Sequence, residues 1–279
     1  MKRIVHGDCL DVLRALPDGV ARLAYVDPPF NTGRRQVRIQ VRTRQDDEGD
    51  RVGFGGRRHR TITVGRRSFL DVFDDYLDFL EPRLAEARRV LASDGSLFLH
   101  VDCREAHYCK LLLDALFGRQ SFMNEIVWAY DYGARTRRRW APKHDTILWY
   151  AVDPRHYVFR YDDIDRVPYT APSLVSPEKA ARGKVPTDVW WHTIVSPTGK
   201  EKTGYPTQKP LGIVERIVRV HSDPGDLVVD FFAGSGTTGV AAAHLGRSYL
   251  LVDDNLEAVR VMAERLAFDH PEVATQRRD

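Results

Sequence analysis

The chain has 279 residues, with 42 lysines and arginines against 39 aspartates and glutamates and a formal charge of +3. That length accommodates one large α/β domain or two small ones with a sizeable core, and so even a charge balance does not by itself mark a nucleic-acid binder. No apolar run approaches the ~20 residues that cross a bilayer, and the polar start Met1-Lys2-Arg3-Ile4-Val5-His6-Gly7-Asp8 does not read as a secretory leader. The 3 cysteines, Cys9, Cys103 and Cys109, lack the spacing of a disulfide framework or a structural zinc site. No metal is expected, and a reduced cytoplasm is the expected setting.

The first third reads strand, helix, strand. Residues 8–16 carry apolar side chains at helical spacing and stop at Pro17-Asp18-Gly19. Leu23-Ala24-Tyr25-Val26 is a short apolar run of the kind buried in a parallel sheet, and Asp27-Pro28-Pro29-Phe30 stands at its end. Proline fixes φ and donates no N–H, so this turn offers a carboxylate, outward carbonyls and an aromatic ring. Such an acceptor-rich pocket suits a flat substrate with an exocyclic amino group, a nucleobase above all. Taken alone, the same four residues are also an ordinary turn.

Residues 31–67 are polar, broken by glycines and rich in arginine: Arg34, Arg35, Arg38, Arg42, Arg44, Arg51, Arg57, Arg58, Arg60, Arg66 and Arg67. Residues 37–41 alternate as a short hairpin strand would, but the length favours a mobile functional loop. A long amphipathic helix is predicted over 69–91, then a strand at 96–101 and a helix at 104–117. Strands at 125–130 and 146–152 flank a second basic cluster, Arg135-Thr136-Arg137-Arg138-Arg139-Trp140, with Lys143 behind it. Two such clusters, the first directly after the Asp-Pro-Pro-Phe turn, favour a phosphate-bearing partner over a merely solvated face.

Residues 153–205 have weak periodicity and read as an irregular insertion or small subdomain. Regular order returns with helix 210–221, strand 227–231, helix 237–245, strand 248–252 and helix 255–268. Strands alternating with helices predict an α/β fold with a mainly parallel sheet.

A second motif, Asp230-Phe231-Phe232-Ala233-Gly234-Ser235-Gly236-Thr237-Thr238-Gly239, ends one strand and opens a helix. Its glycines permit a tight turn and close approach of a ligand to backbone N–H groups, and Asp253, ending the next strand, is placed for ribose hydroxyls. A dinucleotide turn and an S-adenosylmethionine turn both fit this pattern. Position argues against the first, because a dinucleotide fold begins with this turn and here only one clear strand follows it. The N-terminal half must therefore complete the sheet, in permuted order.

Together these motifs resemble the β class of amino-group (N6-adenine or N4-cytosine) DNA methyltransferases. The resemblance rests on Gly7-Asp8-Cys9-Leu10, Asp27-Pro28-Pro29-Phe30, Gly204-Tyr205-Pro206-Thr207-Gln208-Lys209-Pro210 and the glycine turn from Asp230, with support from 91–102 and 144–150. It covers most of the chain, 34–67 and about 153–186 matching poorly. It implies a Rossmann-like, circularly permuted fold: a catalytic half at 1–131, a target-recognition region at 132–203 and a cofactor-binding half at 204–279. It also implies S-adenosyl-L-methionine as cofactor, with Asp230, Phe231, Phe232, Ala233, Gly234, Ser235, Gly236 and Thr237 around the methionine portion and Asp253 on the ribose. Asp8 and Cys9 would meet the adenine ring, and Thr207, Gln208 and Lys209 the methionine carboxylate. Asp8 could equally be a helix N-cap, Cys9 a core residue and Lys209 a surface charge.

Asp27, Pro28, Pro29 and Phe30 would be catalytic, the first two accepting from the amino group and Phe30 stacking on the base. Double-stranded DNA is the implied partner, held by Arg34, Arg35, Arg135, Arg137, Arg138 and Arg139. Residues 132–200, including Tyr132, Trp140, Tyr157, Tyr161, Trp190 and Trp191, would read the target, with at least one of the adjacent tryptophans packed beneath. Within the resemblance, Asp at the first motif position leans toward adenine N6, with cytosine N4 second. A binder on an inactive scaffold and an RNA methyltransferase are further readings, the first disfavoured by the intact motifs. The resemblance leaves room for a homodimer and a cognate restriction endonuclease, and implies a prokaryotic, nucleoid-associated location.

Overall fold

The computed structural model describes residues 1–31, 34–46, 48, 51–52, 58–71, 75–133, 135–196 and 199–276. In chain order the elements are β1 (Lys2–His6), α1 (Cys9–Arg14), β2 (Ala21–Val26), β3 (Arg34–Gln45), β4 (Arg51–Val52), β5 (Arg58–Asp71), α2 (Tyr76–Val90), β6 (Leu91–Val101) and α3 (Ala106–Phe117). There follow β7 (Phe122–Ala129), β8 (His144–Ala151), α4 (Pro177–Arg182), β9 (Val189–Trp191), α5 (Leu211–His221), β10 (Leu227–Asp230), α6 (Thr237–His244), β11 (Ser248–Asp253), α7 (Leu256–Arg265) and β12 (Glu272–Thr275).

One sheet runs β12-β1-β11-β10-β2-β6-β8-β7-β9, parallel throughout except where β8 runs against β6 and β7. The permuted order is visible in the pairing, for β1 lies between β11 and β12. β8 lies between β6 and β7, so a sheet strand falls within 132–203.

Each face of the sheet carries its own core. α1, α2 and α3 cover one face through Val12, Leu13, Leu80, Leu84, Cys109 and Leu113. α5, α6 and α7 cover the other through Ile213, Val214, Ile217, Val240, Ala241, Ala258 and Met262. Burying each large aliphatic side chain contributes ~1.5–3 kcal/mol, and helices on both faces explain why the parallel strands read as unbroken apolar runs rather than alternations. The helices begin where the sequence supplies side-chain caps: Asp8 accepts from Leu10 N (2.8 Å), Asp75 from Leu77 N (3.0 Å) and Asn255 from Glu257 N (2.9 Å).

Three expectations change. The helix predicted over 69–91 is shorter: residues 69–71 close β5 and Leu91 opens β6. The segment expected as a mobile loop contains a long two-stranded ribbon, β3 against β5 from Arg34↔Asp71 to Gln45↔His59, with β4 added at its tip. A register shift between Gln40 and Val41 interrupts the alternation and hides the second strand from sequence inspection. The stretch from 153 to 205 gains α4 and the edge strand β9, which pairs with β7. Among the described residues, no helix is long and apolar enough to cross a membrane.

Candidate active site

β2 and β10 lie side by side, and their connections leave toward opposite ends of the sheet. A crevice forms beyond the carboxyl ends of strands at such a switch point. Here it is a cavity of about 580 Å³, lined from both halves of the chain. Of the residues singled out in the sequence, Asp8, Cys9, Asp27, Pro28, Pro29, Phe30, Thr207, Lys209, Asp230, Phe231, Phe232, Ala233, Gly234, Ser235, Thr237 and Asp253 line it.

Gln208 and Gly236 depart from expectation. The Gln208 amide is spent on its own loop, its Oε1 accepting from Thr203 N (2.8 Å) and its Nε2 donating to Glu201 O (2.8 Å). Gly236, at φ +74°, caps α6; a Cβ there would lie 2.8 Å from Met262 Cγ, so its part is to let the chain turn and the helix pack.

The wall built by β10 and β11 holds two carboxylates on the backbone. Asp230 accepts from Phe232 N (3.1 Å) and Thr238 Oγ1 (2.6 Å). Burial pushes its carboxyl up to about 7 against those two hydrogen bonds. Asp253 accepts from Gly234 N (2.8 Å) and Asn255 N (2.9 Å), tying the end of β11 to the glycine turn, and burial lifts it to about 6. Gly234 has φ +50°, and its missing Cβ leaves the Tyr205 ring 3.2 Å away from where that atom would be.

An aromatic wall faces this turn, Phe232 lying 5.9 Å from Phe79 and 5.4 Å from Phe231, ring to ring. Arg83 stacks on Phe79 at 4.0 Å and donates to Asp8 Oδ2 (3.0 Å) and Cys9 Sγ (3.2 Å). Asp8 is thus both the N-cap of α1 and a cavity residue. Burial pushes the Cys9 thiol up to about 12, so it is protonated at neutral pH and no nucleophile.

On the opposite wall, Asp27 meets an unforeseen partner. Lys209 was expected near a cofactor carboxylate; its ammonium instead donates to both Asp27 oxygens, at 2.6 and 2.5 Å, and lies 4.6 Å over the Phe30 ring. Lys209 is only 8% exposed, so a surface-charge role is excluded. Thr207 beside it has φ +60°, a conformation costly for a β-branched residue and characteristic of functional loops.

Behind Phe30 runs a buried polar chain. With the His100 proton on Nε2, Tyr25 donates to His100 Nδ1 (2.6 Å) and His100 Nε2 to Asp145 (3.2 Å), while Tyr130 donates to the other Asp145 oxygen (3.1 Å). Burial pushes the Asp145 carboxyl up, but His100 and the Lys209 charge outweigh it and hold the group below its ordinary value.

The second arginine cluster leaves the same end of the sheet as this cavity. Val26 pairs with Leu99, Val101 with Thr146 and Ala129 with His144, so the β7–β8 connection stands at the same end of the sheet as the Asp27–Phe30 turn. Arg137, Arg138 and Arg139 are exposed there, Arg135 pairs with Asp131, and Trp140 is 97% exposed. Of the two adjacent tryptophans, Trp190 packs against Arg216 (4.8 Å) and Trp191 is 75% exposed. Arg34 and Arg35 open β3, but their side chains lie outside the described residues, as does Arg57. Sequence reasoning missed Tyr25, Phe79, Arg83, Tyr205, Asp254 and Asn255 as lining residues. Only Tyr205, inside a quoted motif, carried a signal.

The sequence matches the family model described as DNA methylase over residues 21–265. It is 29% identical over 273 residues to the DNA adenine methyltransferase YhdJ of Escherichia coli (strain K12), covering 95% of this chain and 82% of that one. The M1.HpyAVI–SAM complex superposes with TM-score 0.60 at 21% identity, covering 95% and 99% of the two chains. The cytosine-N4-specific PvuII DNA methyltransferase gives TM-score 0.64 at 16% identity, covering 98% and 94%. The chain belongs to the DNA methylase family.

Proposed function

We propose that this member of the DNA methylase family transfers a methyl group from S-adenosyl-L-methionine to the exocyclic N6 amino group of adenine in double-stranded DNA. The observation that carries this reading is the meeting of the Asp27-Pro28 acceptor turn and the Asp230–Thr237 glycine turn in one cavity. The cavity suits the cofactor: a backbone cradle at Gly234 that a Cβ would crowd, an aromatic wall from Phe79 and Phe232, and the acidic pair Asp253 and Asp254 for ribose hydroxyls. Volumes of a few hundred Å³ with few polar groups are typical of such sites.

S-adenosylmethionine, when bound, supplies an electrophilic methyl group on a sulfonium. The chain must make a poor nucleophile attack it, since the amino lone pair is delocalised into the base. Hydrogen bonds to the Asp27 carboxylate and the Pro28 carbonyl draw that nitrogen toward tetrahedral geometry and free the pair; as the nitrogen–carbon bond forms, the methyl–sulfur bond would break to leave S-adenosylhomocysteine as a neutral thioether, and the nitrogen would release one proton to solvent. Phe30 holds the ring plane. A duplex hides the nitrogen, so the base is rotated out at a cost of a few kcal/mol, offset by the shaped pocket and by phosphate contacts from Arg135, Arg137, Arg138 and Arg139.

Asp at the head of the catalytic turn and the likeness to an adenine methyltransferase support adenine over cytosine. Nucleoside analysis of DNA methylated with tritiated S-adenosylmethionine tests this directly. Label in N6-methyladenine is expected. Label in N4-methylcytosine transfers the same mechanism to the other base, label on RNA alone changes the substrate class, and no label on any nucleic acid leaves a binder.

A further inference from the structure

Asp27 is a carboxylate only 16% exposed, at the centre of the proposed chemistry. A buried charge is costly without a partner, and the amino group needs a charged, correctly aimed acceptor. Among the described residues, one cation touches it. Lys209, 182 residues away in sequence, reaches both of its oxygens, and the same ammonium rests on the face of Phe30, the ring assigned to the base.

Each carboxylate oxygen has two acceptor positions, so two contacts from Lys209 leave two for the substrate amino group. The loop that delivers Lys209 is itself fixed. Thr237 Oγ1 donates to the Lys209 carbonyl (3.2 Å), and the strained Thr207 stands two residues earlier.

We propose that Lys209 is a positioning residue for amino methylation: its ammonium keeps Asp27 ionised and aimed, so that capture of the base adds a donor to a carboxylate already charged. The proposal rests on the amino-methylation reading. It assigns Lys209 to the catalytic carboxylate rather than to the cofactor carboxylate.

The remaining groups around Asp27 sharpen the consequence. Tyr25 from β2, Asp230 from β10 and Tyr205 from the loop before α5 all feel the Asp27 charge. None of them is a cation. Asp145, in the polar chain behind Phe30, feels Lys209. Arg83 lines the same cavity but is engaged by Asp8 and Cys9, and Arg104 by Asp102 and the Phe30 carbonyl, so among the described residues removing the ammonium leaves Asp27 without a cation in contact. The acid side of the rate profile is then expected to move to higher pH.

The test compares wild type, Lys209→Met and Lys209→Arg by the pH dependence of kcat/KM for methyl transfer to duplex DNA. Folding is checked by thermal melting and cofactor binding by calorimetry. For Lys209→Met, the acid limb should move up by about one pH unit or more, the range expected when an opposite charge is lost at contact distance. The rate on the plateau should fall ~10-fold or more, with cofactor affinity nearly unchanged. Lys209→Arg should return the limb to its wild-type position.

An acid limb at the wild-type pH in Lys209→Met overturns the proposal, whatever the rate. A loss confined to cofactor affinity overturns it as well, in favour of a cofactor-carboxylate role. If Lys209→Met does not fold, Lys209→Gln is read by the same criteria. If wild type methylates no DNA base, the underlying reading fails; an active wild type with an unmoved limb in the variant overturns the Lys209 role alone.

Discussion

The two walls of the cavity hold their acids in opposite ways. On the glycine-turn wall, Asp230 and Asp253 are clasped by backbone N–H groups and the Thr238 hydroxyl, and burial raises both toward neutrality. On the opposite wall, Asp27 is held by one side-chain cation, Lys209. The first arrangement uses carboxyls as struts: they fix the shape of a turn, and their charge is a cost. The second uses a carboxylate for its charge, and the partner is a side chain that can share it. An acid's chemistry in a cavity therefore follows from what holds it as well as from how buried it is.

If the distinction is sound, the walls should fail differently. Asp27→Ala should abolish methyl transfer, a loss of ~10³-fold or more when a charge aimed at the reacting group is removed. Cofactor binding measured by calorimetry should stay nearly intact; substantial turnover would show that Asp27 does not capture the amino group. A smaller effect is expected behind it. Phe30→Ala should lower the rate ~10-fold relative to Phe30→Trp, because stacking of an aromatic side chain on a base contributes ~1–3 kcal/mol. Equal rates for the two variants would remove stacking from the mechanism.

A third effect belongs to the strut wall and appears in stability rather than in rate. Burial moves Asp230 from 3.8 to about 7, so this group's contribution is fully present below 3.8 and is lost as pH rises through 7. Asp230→Asn keeps an acceptor for Phe232 N and Thr238 without the titration. Its stability, followed as Tm across that interval, should fall less steeply with pH than wild type, each pH unit of displacement corresponding to ~1.4 kcal/mol. A slope identical to wild type would mean that Asp230 is not the group responsible.

Much of this was legible in the chain. Asp27-Pro28-Pro29-Phe30, the glycine turn and the order of the two predicted a permuted sheet, and residues 227–268 fall into strands and helices within a few positions of the expected bounds. What stayed hidden has physical causes. β9 and β12 are short edge strands, three and four residues long, too brief to carry a period. Phe69 and Leu70 look like the start of a helix because their apolar character says nothing about the ribbon strand they close. Arg83 and Phe79 reach the cavity from a helix whose pattern records only its buried face. Lys209 reads as one basic residue ahead of a helix until folding brings Asp27 to it.

The place of β1 has a consequence for synthesis. Its only sheet neighbours are β11 and β12, so residues 2–6 leave the ribosome without a pairing edge and acquire one only when residues 248–275 have been made. The Asp27–Phe30 turn is likewise translated long before the strand β10 that flanks β2. Pairings so distant in sequence close slowly, and the exposed strand edges are meanwhile open to misassociation. The two turns that make the cavity can therefore come together only late in biogenesis, and a nascent chain halted before residue 248 would carry an intact Asp-Pro-Pro-Phe motif with no methylation chemistry to perform.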